Sequence, residues 1–108
     1  MKICVSSSGN SIESILDPRF GRATFFIFAD TDTMEIESIE NPAASVGGGA
    51  GITSAQLMVD RGIEAVITGN VGPNAMNVLR TANIQLYKGS PVTVKENIDK
   101  FKKGLLDK

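Results

Sequence analysis

Few side chains in this sequence could carry chemistry. Histidine is absent and Cys4 is the single cysteine, which excludes Ser-His-Asp and Cys-His catalysis and every histidine-based metal site. The hydroxyls of Ser6, Ser7 and Ser8 have no histidine to activate them, and nothing in the sequence places Lys88 as a substitute base. Cys4 could act as a nucleophile or as a ligand for a soft metal, but in mid-strand it reads more simply as a small core residue. Asp17, Asp30 and Asp32 could bind a cation, although turns use aspartate for local hydrogen bonds. Met34, Met58 and Met76 fit core spacing, and no C-x-x-C, H-E-x-x-H or EF-hand pattern occurs. On these grounds the chain reads as a non-enzyme.

The remaining chemistry is anion recognition. Arg19 and Arg22 stand three apart in D-P-R-F-G-R (17–22), and a glycine run opens into an apolar stretch in V-G-G-G-A-G-I-T-S-A-Q-L (46–57). A P-loop needs a lysine after its last glycine, and none follows here. A dinucleotide fingerprint needs a third glycine where Gly49-x-Gly51-x-x-Ser54 has serine, and it needs a strand immediately before it. Both nucleotide motifs are excluded. A loop ending in a helix start with free N–H groups survives.

Alternating and 3.6-residue patterns place these groups on elements. Lys2–Ser7 reads as a first strand, with Ile3 and Val5 on one face and Cys4 on the other. A long connection, 8–23, with a helical turn at 12–16, leads to a continuous apolar strand at 24–29, covered on both faces. A turn at 30–33 gives an antiparallel third strand at 34–40, and the pattern then changes to alternating helix and strand. A helix at 52–61 buries Ile52, Ala55, Met58 and Val59 and stops at Gly62; a strand follows at 64–68. A helix opened by Gly72-Pro73 buries Ala75, Val78, Leu79 and Ala82 and stops at Asn83, before a last strand at 84–87. Thr93-x-x-Glu96 is a capping box for a third helix, with Val94, Ile98, Phe101 and Leu105 inward and its lysines on a solvated face.

A three-strand meander followed by two right-handed crossovers gives an α/β fold with a five-stranded mixed sheet and about three helices. In that topology three helix starts (49–53, 72–75 and 91–94) share one edge with Arg19 and Arg22. Each start carries about half a positive charge and unpaired N–H donors, so the edge suits an anionic ligand. The alternative is that the glycines only permit turns and both arginines are surface charges.

Size and charge agree with a single domain over 1–108. At 108 residues the chain can build a core without staples. Its net charge of −1 gives no general pull toward nucleic acid or anionic lipid, and no apolar run approaches the roughly 20 residues of a membrane span. The N-terminus is too polar after its first residues for a signal peptide. One cysteine suits a reducing cytoplasm.

The landmarks M-K-I-C-V-S-S, D-P-R-F-G-R-A, N-P at 41–42, the glycine run and G-I-E-A-V-I-T-G-N-V-G-P-N-A at 62–75 occur in order. Over nearly its whole length the chain therefore resembles the dinitrogenase iron-molybdenum cofactor biosynthesis family. That resemblance implies a ribonuclease H-like fold, with sheet order 3-2-1-4-5 and strand two antiparallel. It also implies a non-enzymatic binding or carrier role for an anionic iron-sulfur or iron-molybdenum-type cofactor or precursor, with cofactor-biosynthesis proteins as partners and a monomer or weak homodimer as the state. Carried over by position, the cofactor-binding residues are Arg19, Phe20, Gly21 and Arg22; Gly48, Gly49, Ala50 and Gly51; and Gly69, Asn70, Gly72, Pro73 and Asn74.

Relatives that handle cofactors typically have histidines flanking the F-G pair. Arg19 and Arg22 stand there in this chain, and arginine does not ligate iron. One cysteine cannot supply the usual four thiolates of an iron-sulfur site. A cluster would have to arrive preformed, share ligands across a dimer, or not bind at all. The competing expectation is a metal-independent module using the same edge for a small anion or a partner protein. Nuclease chemistry is not expected, because the first strand offers Cys4 and Ser6 where two-metal catalysis needs carboxylates.

Overall fold

The computed structural model describes residues 1–44 and 48–108; Val46 and Gly47 of the glycine run lie outside them. In chain order the elements are β1 (Lys2–Ser7), β2 (Phe25–Asp30), β3 (Ile36–Glu40), α1 (Ala50–Asp60), β4 (Ala65–Thr68), α2 (Pro73–Thr81), β5 (Gln85–Lys88) and α3 (Val94–Lys102). The five strands form one sheet in the order β3-β2-β1-β4-β5. β2 is antiparallel to both neighbours, while β1, β4 and β5 run parallel. The expected sheet order and strand directions are therefore found.

The strands in the middle of the sheet have apolar centres because both faces are covered. Cys4, Phe26, Phe28 and Val66 meet Ala55, Met58, Ala75 and Leu79 of α1 and α2. On the other face Ile3, Val5, Ile27 and Ile67 meet Val94 and Ile98 of α3. The alternation read in β1 is thus the boundary between two cores.

All three helices end in the same way. The residue after each C-cap is left-handed (Gly62 at φ 67°, Asn83 at φ 60°, Gly104 at φ 71°). It donates to the third carbonyl back, and the next residue donates to the fifth. These are Schellman closures. Glycine or asparagine is needed there because a Cβ is disfavoured at positive φ.

Several sequence expectations are corrected. The helical turn expected at 12–16 is a tight turn at 12–13 followed by isolated bridges from Ile15 to Thr93 and Leu16 to Ser7. β3 starts at Ile36, not Met34, because Met34 takes φ 60° and closes the turn through its N–H to Asp30 O at 2.7 Å. Met34 is 43% exposed and is not core. α1 begins two residues early, at Ala50, which rotates its buried stripe: Ile52 is 46% exposed and Val59 only half-buried, while Ala50 and Ser54 are buried. In α2, Val78 is half-buried and Ala82 is exposed. Leu105 is exposed because the chain reverses at Gly104; Leu106 packs on the core instead.

Candidate functional site

The parallel strands β1, β4 and β5 point their C-terminal ends at one edge, the usual place for a ligand in an open α/β sheet. The 8–24 connection crosses this edge and is pinned where β1 meets β4. Asp17 N–H donates to Ser6 O at 3.0 Å. The Ser6 hydroxyl lies 2.6 Å from both Asp17 O and Thr68 Oγ1. Asp17, only 4% exposed, turns its carboxylate onto its own loop. Oδ1 accepts from Arg19 N–H at 3.0 Å and Arg19 Nε at 3.1 Å; Oδ2 accepts from an Arg19 terminal nitrogen at 2.9 Å and from Thr24 N–H at 3.3 Å. Burial pushes this carboxyl up, but Arg19's hydrogen bonds and charge, with the Thr24 N–H, outweigh it, and the net shift is downward.

Two further walls meet this loop. Asn70 N–H donates to Pro18 O at 2.6 Å and accepts at its carbonyl from Phe20 N–H at 3.2 Å, a short ladder to the β4–α2 loop. Gly69 permits it: a Cβ there would lie 2.6 Å from Pro18 O. On the other side Gly21 rests on the start of α1, where a Cβ would lie 2.8 Å from Gly51 Cα. Phe20 puts its ring in the core, 5.6 Å from the Phe26 ring, so it anchors the loop rather than facing outward.

Between the starts of α1 and α2 lies an open groove of about 250 Å³, lined by residues 49–52 and 72–75. The first helical hydrogen bonds are Thr53 N–H to Gly49 O at 3.0 Å and Met76 N–H to Gly72 O at 2.9 Å. The N–H groups of Ala50, Gly51, Ile52, Asn74 and Ala75 therefore precede the ladders, and neither N-cap, Gly49 or Gly72, has a side chain to cover them. Gly49 adopts φ 70° with open space around its Cβ position, and Gly48 and Gly72 are equally uncrowded.

The sequence-derived set is thus partly assembled. Gly49, Ala50, Gly51, Gly72, Pro73 and Asn74 line the groove; Phe20, Gly21, Gly69 and Asn70 join its walls. Arg19 and Arg22 do not line it. Arg19 is held two-pronged by Asp17, and Arg22 donates to Ala44 O at 3.2 Å. The expected third helix entrance is closed. Val94 N–H donates to Ser14 O and Lys95 N–H to Ile12 O, both at 2.8 Å, while Glu96 N–H donates to Thr93 Oγ1 at 3.1 Å. The 8–24 connection lies over that helix start and uses the donors a ligand would need.

Cys4 is fully buried in mid-β1, and burial pushes its thiol well up despite the opposing influence of Arg61. Among the described residues, no three histidine, cysteine, aspartate or glutamate side chains gather as a metal site. Asp30 and Asp32 serve their turn: Asp30 Oδ1 accepts from Asp32 N–H at 2.8 Å, and Asp32 pairs with the terminal amine at 3.0 Å.

Sequence reasoning missed Asn41 and Ser54, both buried. The signals available were an asparagine before proline, an Asx-turn cue, and a serine on the inward stripe of α1 once its early start is known. It also missed a cleft of about 210 Å³ at the opposite end of the sheet. There Arg61 forks onto Glu37 at 2.9 and 3.0 Å and stacks 4.3 Å over the Phe28 ring.

The fold is an α/β sheet whose edge at the C-terminal ends of the parallel strands carries two helix starts without side-chain caps. The chain belongs to the dinitrogenase iron-molybdenum cofactor family, whose sequence model matches residues 1–104. It is 36% identical over 111 residues to an uncharacterised protein of Methanocaldococcus jannaschii, covering 100% of this chain and 91% of that protein. The apo form of the orange protein from Desulfovibrio gigas has a similar structure, with 34% identity and a TM-score of 0.92 over 97% of this chain and 89% of that one. A Thermotoga protein provisionally described as NifB, of the DUF35 family, superposes with a TM-score of 0.86 at 34% identity, covering 99% of this chain and 91% of its own. No helix among the described residues is long and apolar enough to cross a membrane.

Proposed function

We propose that this protein binds or carries a preformed, anionic iron-sulfur or iron-molybdenum-type cluster, or a precursor of one, without catalysing a reaction. The observation that carries the reading is the groove between α1 and α2, where two uncapped helix starts present their N–H groups side by side. Backbone donors and aligned dipoles stabilise an anion without supplying a ligand atom. The donor set therefore fits cargo whose metals are already fully coordinated, and does not fit assembly of a cluster on protein thiolates. Membership of the cofactor family supports this assignment. So does a similar structure described as an apo form, a term that implies a removable ligand for that protein.

The same reading takes the backbone of the segment Arg19, Phe20, Gly21 and Arg22 as one wall of the site, with the two arginine side chains turned to Asp17 and Ala44, Gly48 and Gly49 at its mouth, and the segment from Gly69 to Asn74 opposite. It takes cofactor-biosynthesis proteins as partners, a monomer or weak homodimer as the state and the cytoplasm as the compartment. It keeps the ribonuclease H-like fold name without that chemistry, since β1 has Cys4 and Ser6 and no carboxylate. A second reading, a metal-independent module for a small anion or a partner protein, is favoured by one observation: among the described residues no three potential ligands cluster.

Anaerobic reconstitution with iron and sulfide, with and without molybdate, followed by absorption spectra and metal analysis, separates the two. The carrier reading expects cluster bound to the folded chain and lost on competition with a high concentration of simple anion. Uptake of no cluster, either synthetic or donated by a synthesis protein, would leave the metal-independent module.

A further inference from the structure

The loop that walls the groove meets α1 at two glycines, Gly21 against Gly51, and the only side chain of α1 that reaches it among the described hydrogen bonds is the Ser54 hydroxyl, 3.2 Å from Gly21 O. Such a contact can slide, so something else must set its spacing. Asn41, 5% exposed, stands at the junction. Its Nδ2 donates to Gly21 O and to Ala23 O, both at 3.0 Å. Its Oδ1 accepts from Ala43 N–H at 2.9 Å. The Ser54 hydroxyl on α1 is shared between Gly21 O at 3.2 Å and Asn41 Oδ1 at 3.4 Å. Both donors and the acceptor of the buried amide are therefore used, and they join the 19–23 loop, the start of the 41–44 turn and α1. The opposite wall has its own tie, the ladder between Phe20 and Asn70.

We propose that Asn41 is the positioning residue of the groove: through Gly21 O, Ala23 O and Ser54 it locks the 19–23 loop to the first turns of α1, so that the two open as one unit. Its importance for ligand binding rests on the reading of the groove given above, but the coupling belongs to the protein alone. Without Asn41 the buried Ala23 O loses its side-chain donor, and Gly21 O keeps only the longer bond from Ser54 as its tie to α1.

Native-state amide hydrogen exchange on the full chain, followed by NMR across low urea concentrations, tests it without any ligand. In the wild type, Phe20 and Ala23 should exchange with the same opening free energy and urea dependence as Thr53 and Ser54. In Asn41→Ala the Ala23 amide should exchange about tenfold faster or more, relative to Val5 and Ile67 in mid-sheet, and should part from the α1 amides, while Phe20 N–H keeps its bond to Asn70 O. Asn41→Asp keeps the size and the acceptor but not the two donors, and should behave like Asn41→Ala. Ser54→Ala, the mildest change, should loosen the coupling in the same direction by a smaller factor. If protection falls equally at every amide, Asn41 is a general stabilising residue and the proposal fails. Wild-type exchange that is already independent in loop and helix, or Asn41→Asp that retains the coupling, would also overturn it. Because no cluster is needed, failure of the carrier reading and failure of this proposal are separate results.

Discussion

At the scale of single residues, the site is shaped by where side chains are missing. Gly21 faces backbone, not a flexible side chain, so Gly21→Ala cannot be relieved by a rotamer change. A Cβ would sit 2.8 Å from Gly51 Cα, and overpacking of this kind costs roughly 1–3 kcal/mol. Gly72 has open space and an ordinary φ of −67°, so Gly72→Ala should stay within about 0.5 kcal/mol of wild type. Urea midpoints of the two variants check the contrast. Asp17 gives a pH signature. Its native value lies below its ordinary one because Arg19 and the Thr24 N–H outweigh burial. The stability it supplies is complete above the unfolded value of about 3.9 and is lost as pH falls through the lower native value. Wild type should therefore lose stability below about pH 4 by a margin that Asp17→Asn removes, read as the difference between urea midpoints at pH 7 and pH 3.

At the scale of elements, three helix starts face the same edge of the sheet but only two remain available. A titration with inorganic sulfate, followed by amide shifts, should move Ala50, Gly51, Ile52, Asn74 and Ala75 and leave Val94, Lys95 and Glu96 in place, since those last donors are already used. Shifts at α3 equal to those at α1 would refute the two-entrance groove. The α3 cap itself was legible from Thr93-x-x-Glu96, and Thr93 Oγ1 accepts from Glu96 N–H as that spacing requires. Thr93→Ala should cost about 1 kcal/mol in a thermal or urea melt. The register of α1 was not legible. Glycine at Gly51 carries a helix penalty of about 1 kcal/mol relative to alanine, so propensity alone argues for a later start. The helix nevertheless begins at Ala50, where Ala50 is buried, Ala55 packs in the core and Gly51 lets the 19–23 loop approach.

At the scale of the whole molecule, Cys4 reports on the fold. It is fully buried in mid-sheet and its thiol is pushed up by burial, so alkylation needs both exposure and deprotonation. Reaction with iodoacetamide at neutral pH should be negligible in the native state and rise along the same urea curve as unfolding. A rapid native reaction would mean that the sheet opens locally at β1. The sequence by itself determined the strand directions, the two-sided burial of β2 and two of the left-handed helix stops, and its family resemblance supplied the strand order. It also excluded histidine and multi-thiolate chemistry, because periodicity, turn residues and the presence of a functional group are local properties. Only the tertiary structure decided that Arg19 serves Asp17, that the 8–24 connection closes the start of α3, and that Asn41 and Ser54 hold the loop against α1. Each of those depends on which donor reaches which acceptor across segments distant in sequence, and spacing along the chain does not encode that distance in space.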